Sequence, residues 1–345
     1  MIRRLLLWLA VLALGSPVLA ANSGEKPLFA SSDPIRITIA GPMSTLARNR
    51  AEMPRPGSIT VAGTSQQLPV TLSTRGITRR ASDVCQFPPL KVRFTSPPPM
   101  DSVFAGQKSL KLVAYCRSAE SFQQYVLLEY ATYRMLNVLS PASFRVRLTQ
   151  IDFVNDDGRP FITRYGFFVE DLDDVARRNT MRRAKLPDLI PISSLSPRHA
   201  ALYAMFQDMI ANHDWSMRAG PKGEECCHNA KLIAPARGVA AGVVPIPYDF
   251  DFSGFVNAPY ATPPDELHLS SVRQRQYRGY CIHNGEAYAV AAQMRASKPQ
   301  MLAALNSTPG LQPATIQRAT DYLSTFFDQI QSNDTLLAKV LKSCL

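Results

Sequence analysis

The segment "SFQQYVLLEYATYRMLNVLS", Ser121–Ser140, has helical length, few breakers and a serine start. Phe122, Val126, Leu128, Tyr130, Tyr133, Leu136 and Leu139 make it apolar nearly all round, which predicts a buried helix. Strand patterns flank it. Upstream, "SITVAG", "LPVTLSTRG", "LKVRFTS" and "SLKLVAY" alternate and carry β-branched residues. Downstream, "FRVRL", a turn at "NDDG" and "FITRYGFFVE" read as an antiparallel hairpin. Residues 61–170 therefore read as a small β-rich lobe, an antiparallel sheet with one buried helix. From residue 171 to 345 the pattern turns mostly helical, through "SPRHAALYAMFQDMIANHD" and helical stretches after residue 285. The expected class is α+β. Residues 21–60, rich in Ser, Pro, Ala and Arg, hold one short strand, "PIRITIAG", and otherwise read as an N-terminal arm or loop.

The first twenty residues, "MIRRLLLWLAVLALGSPVLA", have the layout of a cleavable signal peptide. Arg3 and Arg4 precede an apolar run too short to span a bilayer, and Val18-Leu19-Ala20 fits a cleavage site. The expectation is a secreted or periplasmic chain with no integral membrane segment after cleavage. The formal net charge of +11 points to anionic partners such as nucleotides, phosphorylated polymers or membrane surface. No basic run is interleaved with aromatics, so no nucleic-acid partner is expected. The six cysteines, Cys85, Cys116, Cys226, Cys227, Cys281 and Cys344, suit an exported disulfide framework. Cys85 and Cys116 flank two predicted strands and are the first candidates to pair. Cys226 and Cys227 could reach Cys281 and Cys344. A zinc site built from Cys226, Cys227, His228, Cys281 and His283 is the alternative, although its spacing follows no common zinc pattern.

Several polar residues sit where burial is expected. Lys111 lies inside the strand "SLKLVAY" and Glu129 interrupts the apolar helix, so each needs a partner and they could answer one another. A purely structural pair, or a Lys111 that snorkels on an exposed face, would satisfy the same pattern. Asp214 follows a helix end in "ANHDWS", where it could accept a proton, orient a hydroxyl or simply terminate the helix. The run "VVPIPYDFDFSGF", Val243–Phe255, carries Asp249 and Asp251 out of an apolar strand, after Asn229 in "CCHN". Carboxylate and amide oxygens are the ligands that hard cations such as Mg²⁺ or Mn²⁺ take.

The order of these parts is a strand lysine, a helix glutamate, a hairpin, an aspartate loop, an asparagine and an Asp-Phe pair, which is the order of a phosphoryl-transfer site. Ordinary protein-kinase signatures are missing: no GxGxxG precedes Lys111, no His-Arg-Asp occurs, and the fifth residue after Asp214 is Ala219. The chain resembles the CotH kinase family of spore-coat-type atypical protein kinases, in a divergent secreted proteobacterial branch. "TRGITRR", Thr74–Arg80, is similar to the family's Arg-Gly-x-Ser-x-Arg segment, and "FPPLKVRF" to the strand that follows it. "LKL", "EYATYRML", "YGFFVEDLDD", "NHDW" and "PYDFDFSG" resemble the later motifs in order. "PYDFD" lacks the family's tryptophan, and the Cys-Cys-His insertion before Asn229 has no counterpart in it.

The resemblance implies a two-lobed protein-kinase-like fold, an antiparallel β small lobe against a mostly helical large lobe. It also implies transfer of a phosphoryl group from ATP or another donor, with Mg²⁺ or Mn²⁺, to a protein Ser or Thr. A cell-envelope acceptor would be equally accessible to an exported enzyme. By the same resemblance Lys111 would hold nucleotide phosphates, Glu129 would position it, and Arg75 and Arg79 would touch phosphates. Glu170 and Asp171 would lie near adenine or ribose, and Asp214 would be the catalytic aspartate. Asn229 and Asp249 would hold metal, with Asp251 a second ligand or an orienter. Two other readings stand beside this one: a kinase-like binding module without turnover for a phosphate-bearing or envelope ligand, and a metal-dependent phosphoesterase using Asp214, Asp249, Asp251 and His228.

Overall fold

A computed structural model describes residues 25–345 apart from 237 and 240, so the expected signal peptide lies outside the described residues. In chain order the elements are β1 (Ile35–Gly41), α1 (Met43–Arg48), β2 (Arg55–Val61), β3 (Gln67–Thr74), β4 (Leu90–Phe94), β5 (Ser109–Val113), α2 (Gln123–Leu139), β6 (Val146–Asn155) and β7 (Pro160–Val169). There follow α3 (Leu172–Arg178), β8 (Arg182–Arg183), α4 (Pro197–Met209), β9 (Ala230–Ala234), β10 (Val244–Pro247), α5 (Asn284–Asn306), α6 (Pro313–Gln329) and α7 (Asn333–Lys339).

The first seven strands close into a mixed barrel in the order β1-β2-β3-β4-β5-β7-β6. Closure depends on β1, which pairs antiparallel with β2 and parallel with β6, Ile37 lying opposite Ile151. This closed mixed barrel overturns the expected two-lobed kinase-like fold with its antiparallel small lobe. It also takes in "PIRITIAG", expected as one short strand within an N-terminal arm, and the strand begun before "SITVAG", as its first two strands. The physical reason is the isoleucine alternation of "IRITI": Ile37 and Ile39 point inward and find the barrel core. Two glycines make the seam tight. A Cβ on Gly57 would meet the Ala40 carbonyl at 2.7 Å and a Leu72 methyl at 2.8 Å.

The barrel interior is filled by Ile37, Ile39, Ile59, Leu72, Val92, Leu110, Leu112, Phe153 and Phe168 among others. A second core joins α2 to α4, α5 and α6 and to the three-stranded sheet β10-β9-β8. The all-round apolar character of α2 follows: it packs on β6 and β7 on one side and on α5 on another. Among the described residues no helix is long and apolar enough to cross a membrane.

All six cysteines lie in pairs at disulfide distance, Cys85–Cys116, Cys226–Cys227 and Cys281–Cys344. The expected reach from Cys226 and Cys227 to Cys281 and Cys344 is replaced by pairing within each couple. Bonded sulfurs are not the thiolates a zinc site requires. The pairs are compatible with secretion or a periplasmic setting. Cys85 and Cys116 join the loop before β4 to the end of β5 across 31 residues. Replacing both by serine should cost about 3–4 kcal/mol by the loop-closure relation. Urea unfolding of the two proteins under non-reducing conditions checks this, and equal midpoints would show that the cross-link contributes nothing.

Candidate functional site

Strand β10 ends at Pro247 and the chain then turns sharply, with Asp249 in the left-handed region at φ 66°. A non-glycine residue there is strained unless its surroundings hold it. Here the Asp249 N–H donates to the Tyr133 hydroxyl of α2 at 2.9 Å. Phe250 is fully buried against Tyr133 and Phe206. Gly254 completes the turn: its N–H donates to the Ala211 carbonyl, and a Cβ there would meet the Val272 carbonyl at 2.4 Å. Ser253-Gly254 thus ends the motif because backbone from residues 272–273 passes directly over it.

The turn sends its two aspartates to different places. Asp251 is buried, accepts from the Tyr260 hydroxyl at 3.1 Å and pairs with Arg79 Nε at 3.2 Å. Asp249 keeps 44% of its side chain exposed and lies 3.7 Å from Arg79. The sequence expectation that both could face one metal rested on the alternation of an extended strand; a left-handed turn stands in its place, and the two carboxylates still come within 4.8 Å of each other.

Arg79 is the hub of this region. Its side chain is 7% exposed, and it also bonds Glu129 of α2 at 3.1 Å. Burial alone would lower the Arg79 pKa, but Asp251 and Glu129 hold it well above the ordinary range. Burial pushes Glu129 and Asp251 up, against the pull of Arg79. Two sequence expectations are corrected here. Glu129 pairs with Arg79 in place of Lys111, and Arg79 lies under the surface among carboxylates, where no phosphate contact is open to it.

A second group assembles where α4 ends. Asp214 Oδ1 lies 2.6 Å from His228 Nε2, and Asn229 Nδ2 donates to Asp214 Oδ2 at 2.9 Å and to the Asp214 carbonyl at 2.7 Å. Asn229 is also left-handed, at φ 47°, and its carbonyl accepts from the Tyr203 hydroxyl and the Tyr248 N–H. The last bond joins Asn229 to the residue before Asp249. Hydrogen bonding to Asp214 raises the His228 pKa, while burial opposes it.

Three cations complete the arrangement. Lys111 on β5 and Lys231 on β9 each place Nζ 5.5 Å from the centre of the Tyr248 ring. Burial pulls Lys111 down to about 8, helped by the like charges of Arg75 and Lys231, while Asp171 and Asp249 oppose the shift. Burial pushes the Tyr248 hydroxyl up to about 12, with Asp249, Arg75 and Asp214 all acting on it. The structure therefore brings Lys111, Arg75, Asp214, Asn229 and Asp249 around one tyrosine. It does not bring Glu170 there. Both Glu170 oxygens bond Arg178, the Arg145 N–H donates to one of them, and the residue lines a separate cavity of about 500 Å³.

Lys231 and Tyr248 went unread in the sequence. A lysine between apolar residues in "AKLIA" is the same signal that singled out Lys111. Tyr260 and Tyr133 had no local signal. No protein-family model and no curated protein matches this chain.

Carboxylate oxygens of Glu129, Asp249 and Asp251 come within 4.8 Å of one another, a donor set suited to a hard cation. Arg79 already supplies positive charge among them. Of the three carboxylates Asp249 alone stays open to solvent, and the amide oxygen of Asn229 is a hard donor of the same kind. Asn229 Nδ2 is committed to Asp214, which leaves that oxygen as its available donor atom.

Removing Arg79 leaves buried carboxylates without compensation, so Arg79→Ala should cost about 3–5 kcal/mol. Because Glu129 and Asp251 are shifted upward by burial, the penalty is present above their folded pKa values and disappears as acid protonates them. Denaturant unfolding should show the gap from wild type narrowing as pH falls through about 8 and then about 6. A gap independent of pH would assign the loss to packing.

Proposed function

We propose that this chain is a secreted or periplasmic phosphotransferase. It moves a phosphoryl group from ATP or another donor to a hydroxyl of a protein Ser or Thr or of a cell-envelope acceptor. The observation that supports this most is the meeting of Lys111, Arg75 and Lys231 with Asp214, Asn229 and Asp249 around Tyr248. Cations next to oxygen donors are what a phosphate chain with its metal requires. The ordered motifs that resemble those of the CotH kinases support the same chemistry.

In this reading Lys111, Arg75 and Lys231 hold phosphate oxygens by charge-assisted bonds. Mg²⁺ or Mn²⁺ held by Asp249 and Asn229 would draw charge from the transferring group. Asp214 accepts the acceptor hydroxyl proton as the new P–O bond forms and the bond to the donor's leaving phosphate breaks. His228, hydrogen-bonded to Asp214, fixes its orientation and takes part of the proton's charge. Arg79, Glu129 and Asp251 do not touch substrate; they hold the turn that presents Asp249.

Incubation of the mature protein with labelled ATP, Mg²⁺ or Mn²⁺ and a generic acceptor tests the reading. Asp214→Ala and Asp249→Ala should each lower transfer by at least about a hundredfold, the usual contribution of a positioned general base. Transfer unchanged by Asp249→Ala would sink the metal assignment.

Lys111 supplies a pH test. A bound polyphosphate stabilises its charged form, whereas the free fold holds its pKa near 8. Nucleotide affinity should therefore fall as pH rises through that value, by up to about tenfold per pH unit. Lys111→Met should bind weakly and flatten the profile; an unchanged profile would remove Lys111 from the phosphate site.

A second reading, a module that binds a phosphate-bearing or envelope ligand without turnover, is favoured by one observation. Arg79 is a built-in cation within the carboxylate cluster that otherwise most resembles a metal site. Metal-dependent nucleotide binding with no transfer to any acceptor would decide for it.

A further inference from the structure

Between α3 and β8 runs a groove of about 670 Å³, lined by Asp173 and Arg177 on one side and by Arg182, Arg183 and Lys185 on the other. Arg177 bonds Asp174 at 2.8 Å, Arg183 bonds Asp173 at 3.1 Å, and Lys185 lies 3.8 Å from Glu225. Among the described residues Arg182 pairs with no carboxylate. The Arg183 and Lys185 pairs are solvated and worth little, so an incoming anion can compete for their cations, whereas Arg177 is tied to the buried Asp174.

The groove lies beside β9, the strand that carries Lys231. Arg183 lies opposite Ile233 on β9, and Lys231, two residues from Ile233, projects from the same face of that strand. Arg183 acts on Lys231 as a like charge, as Arg75 does, and Lys231 flanks Tyr248. Cations thus continue from Arg183 through Lys231 to Lys111 and Arg75, each acting on the next as a like charge. Glu224, Glu225 and Asp173 offset only part of that repulsion, and an incoming anion would offset more.

The backbone selects the kind of anion. β8 is the edge strand of its sheet. Ala184 N–H donates to the Leu232 carbonyl, so by the alternation of an antiparallel pair the Arg183 N–H and C=O face the free edge. An extended polypeptide can use those groups as well as the cations. A concave groove is poorly matched to a flat lipid surface. Its lining has no aromatic ring on which nucleic-acid bases could stack.

We propose that this groove is the docking site of the acceptor, an extended acidic polypeptide segment whose Asp, Glu or phosphoserine side chains flank the hydroxyl to be modified. The inference rests on the phosphotransferase reading for the word acceptor, but peptide binding itself is independent of turnover.

The test uses the full mature chain without nucleotide or metal. Fluorescence anisotropy measures binding of a labelled peptide with one serine flanked by glutamates, of its phosphoserine form, and of its lysine-flanked counterpart. The acidic peptides should bind, weaken with added salt, and lose at least about tenfold in affinity in Arg182→Glu and in Lys185→Glu, a loss of about 1.4 kcal/mol. Both positions are exposed, and a retained melting temperature certifies the fold of each variant. The lysine peptide should not bind. Equal binding of all peptides, or acidic-peptide affinity unchanged in both variants, would overturn the proposal. Binding to vesicles of anionic lipid with none to the peptides would overturn it in favour of a membrane surface. Salt-dependent peptide binding by a wild-type protein that transfers no phosphate would support the groove and count against the phosphotransferase reading alone.

Discussion

The buried guanidinium of Arg79 holds together three parts of the chain that would otherwise repel or drift. It lies in the loop after β3, and its partners come from α2 and from the turn after β10. Three carboxylates near one another in a dry region are strongly unfavourable, and a single planar cation with several donors offsets much of that cost. Lysine could not serve as well: its three N–H groups radiate from one atom, whereas the guanidinium spreads Nη1, Nη2 and Nε toward Glu129, Asp249 and Asp251. The barrel, the central helix and the candidate site are therefore coupled through one side chain.

The same hub explains how two adjacent acids acquire different environments. Asp251 is taken inward with Tyr260, and Asp249 is left at the mouth. The left-handed backbone at Asp249 and at Asn229 carries a cost, and each is fastened by bonds to a buried tyrosine: Tyr133 for Asp249 and Tyr203 for Asn229. Strain held by surrounding structure at two neighbouring polar residues fixes their side-chain positions.

Much of this was legible locally. Alternation located the strands on both sides of α2, the apolar periphery of α2 foretold its burial, and Cys85 with Cys116 were correctly matched. Barrel closure was not legible, because it depends on a parallel pairing between β1 and β6 across more than a hundred residues. Nothing within "PIRITIAG" says which strand it will meet. The motif order suggested a two-lobed kinase-like fold; the chain closes a barrel instead, and of the motif residues Lys111, Asp214, Asn229 and Asp249 gather around Tyr248 while Glu129 and Glu170 pair elsewhere. The misassigned partner of Glu129 has a similar cause. Lys111 and Arg79 were both available cations, and which of them lies under the surface is decided by the loop after β3, whose path no local pattern encodes.

Electrostatics then separates structure from activity. Where Arg79 is buried, positive charge is matched by carboxylates and the cluster is closed. Around Tyr248 the balance differs: Lys111 is desolvated, two further cations press on it, and the opposing acids do not restore its ordinary pKa. A fold gains nothing by burying a lysine among like charges, since an apolar residue there would be more favourable. The arrangement becomes favourable when an anion enters. The basic groove beside β8 repeats that imbalance farther out, with Arg182 unmatched by any described carboxylate. An enzyme that joins a phosphate donor to an acidic acceptor must bring two anionic molecules together. In the phosphotransferase we propose, the cations around Tyr248 and those along β8 would reduce the repulsion between them before any bond is made.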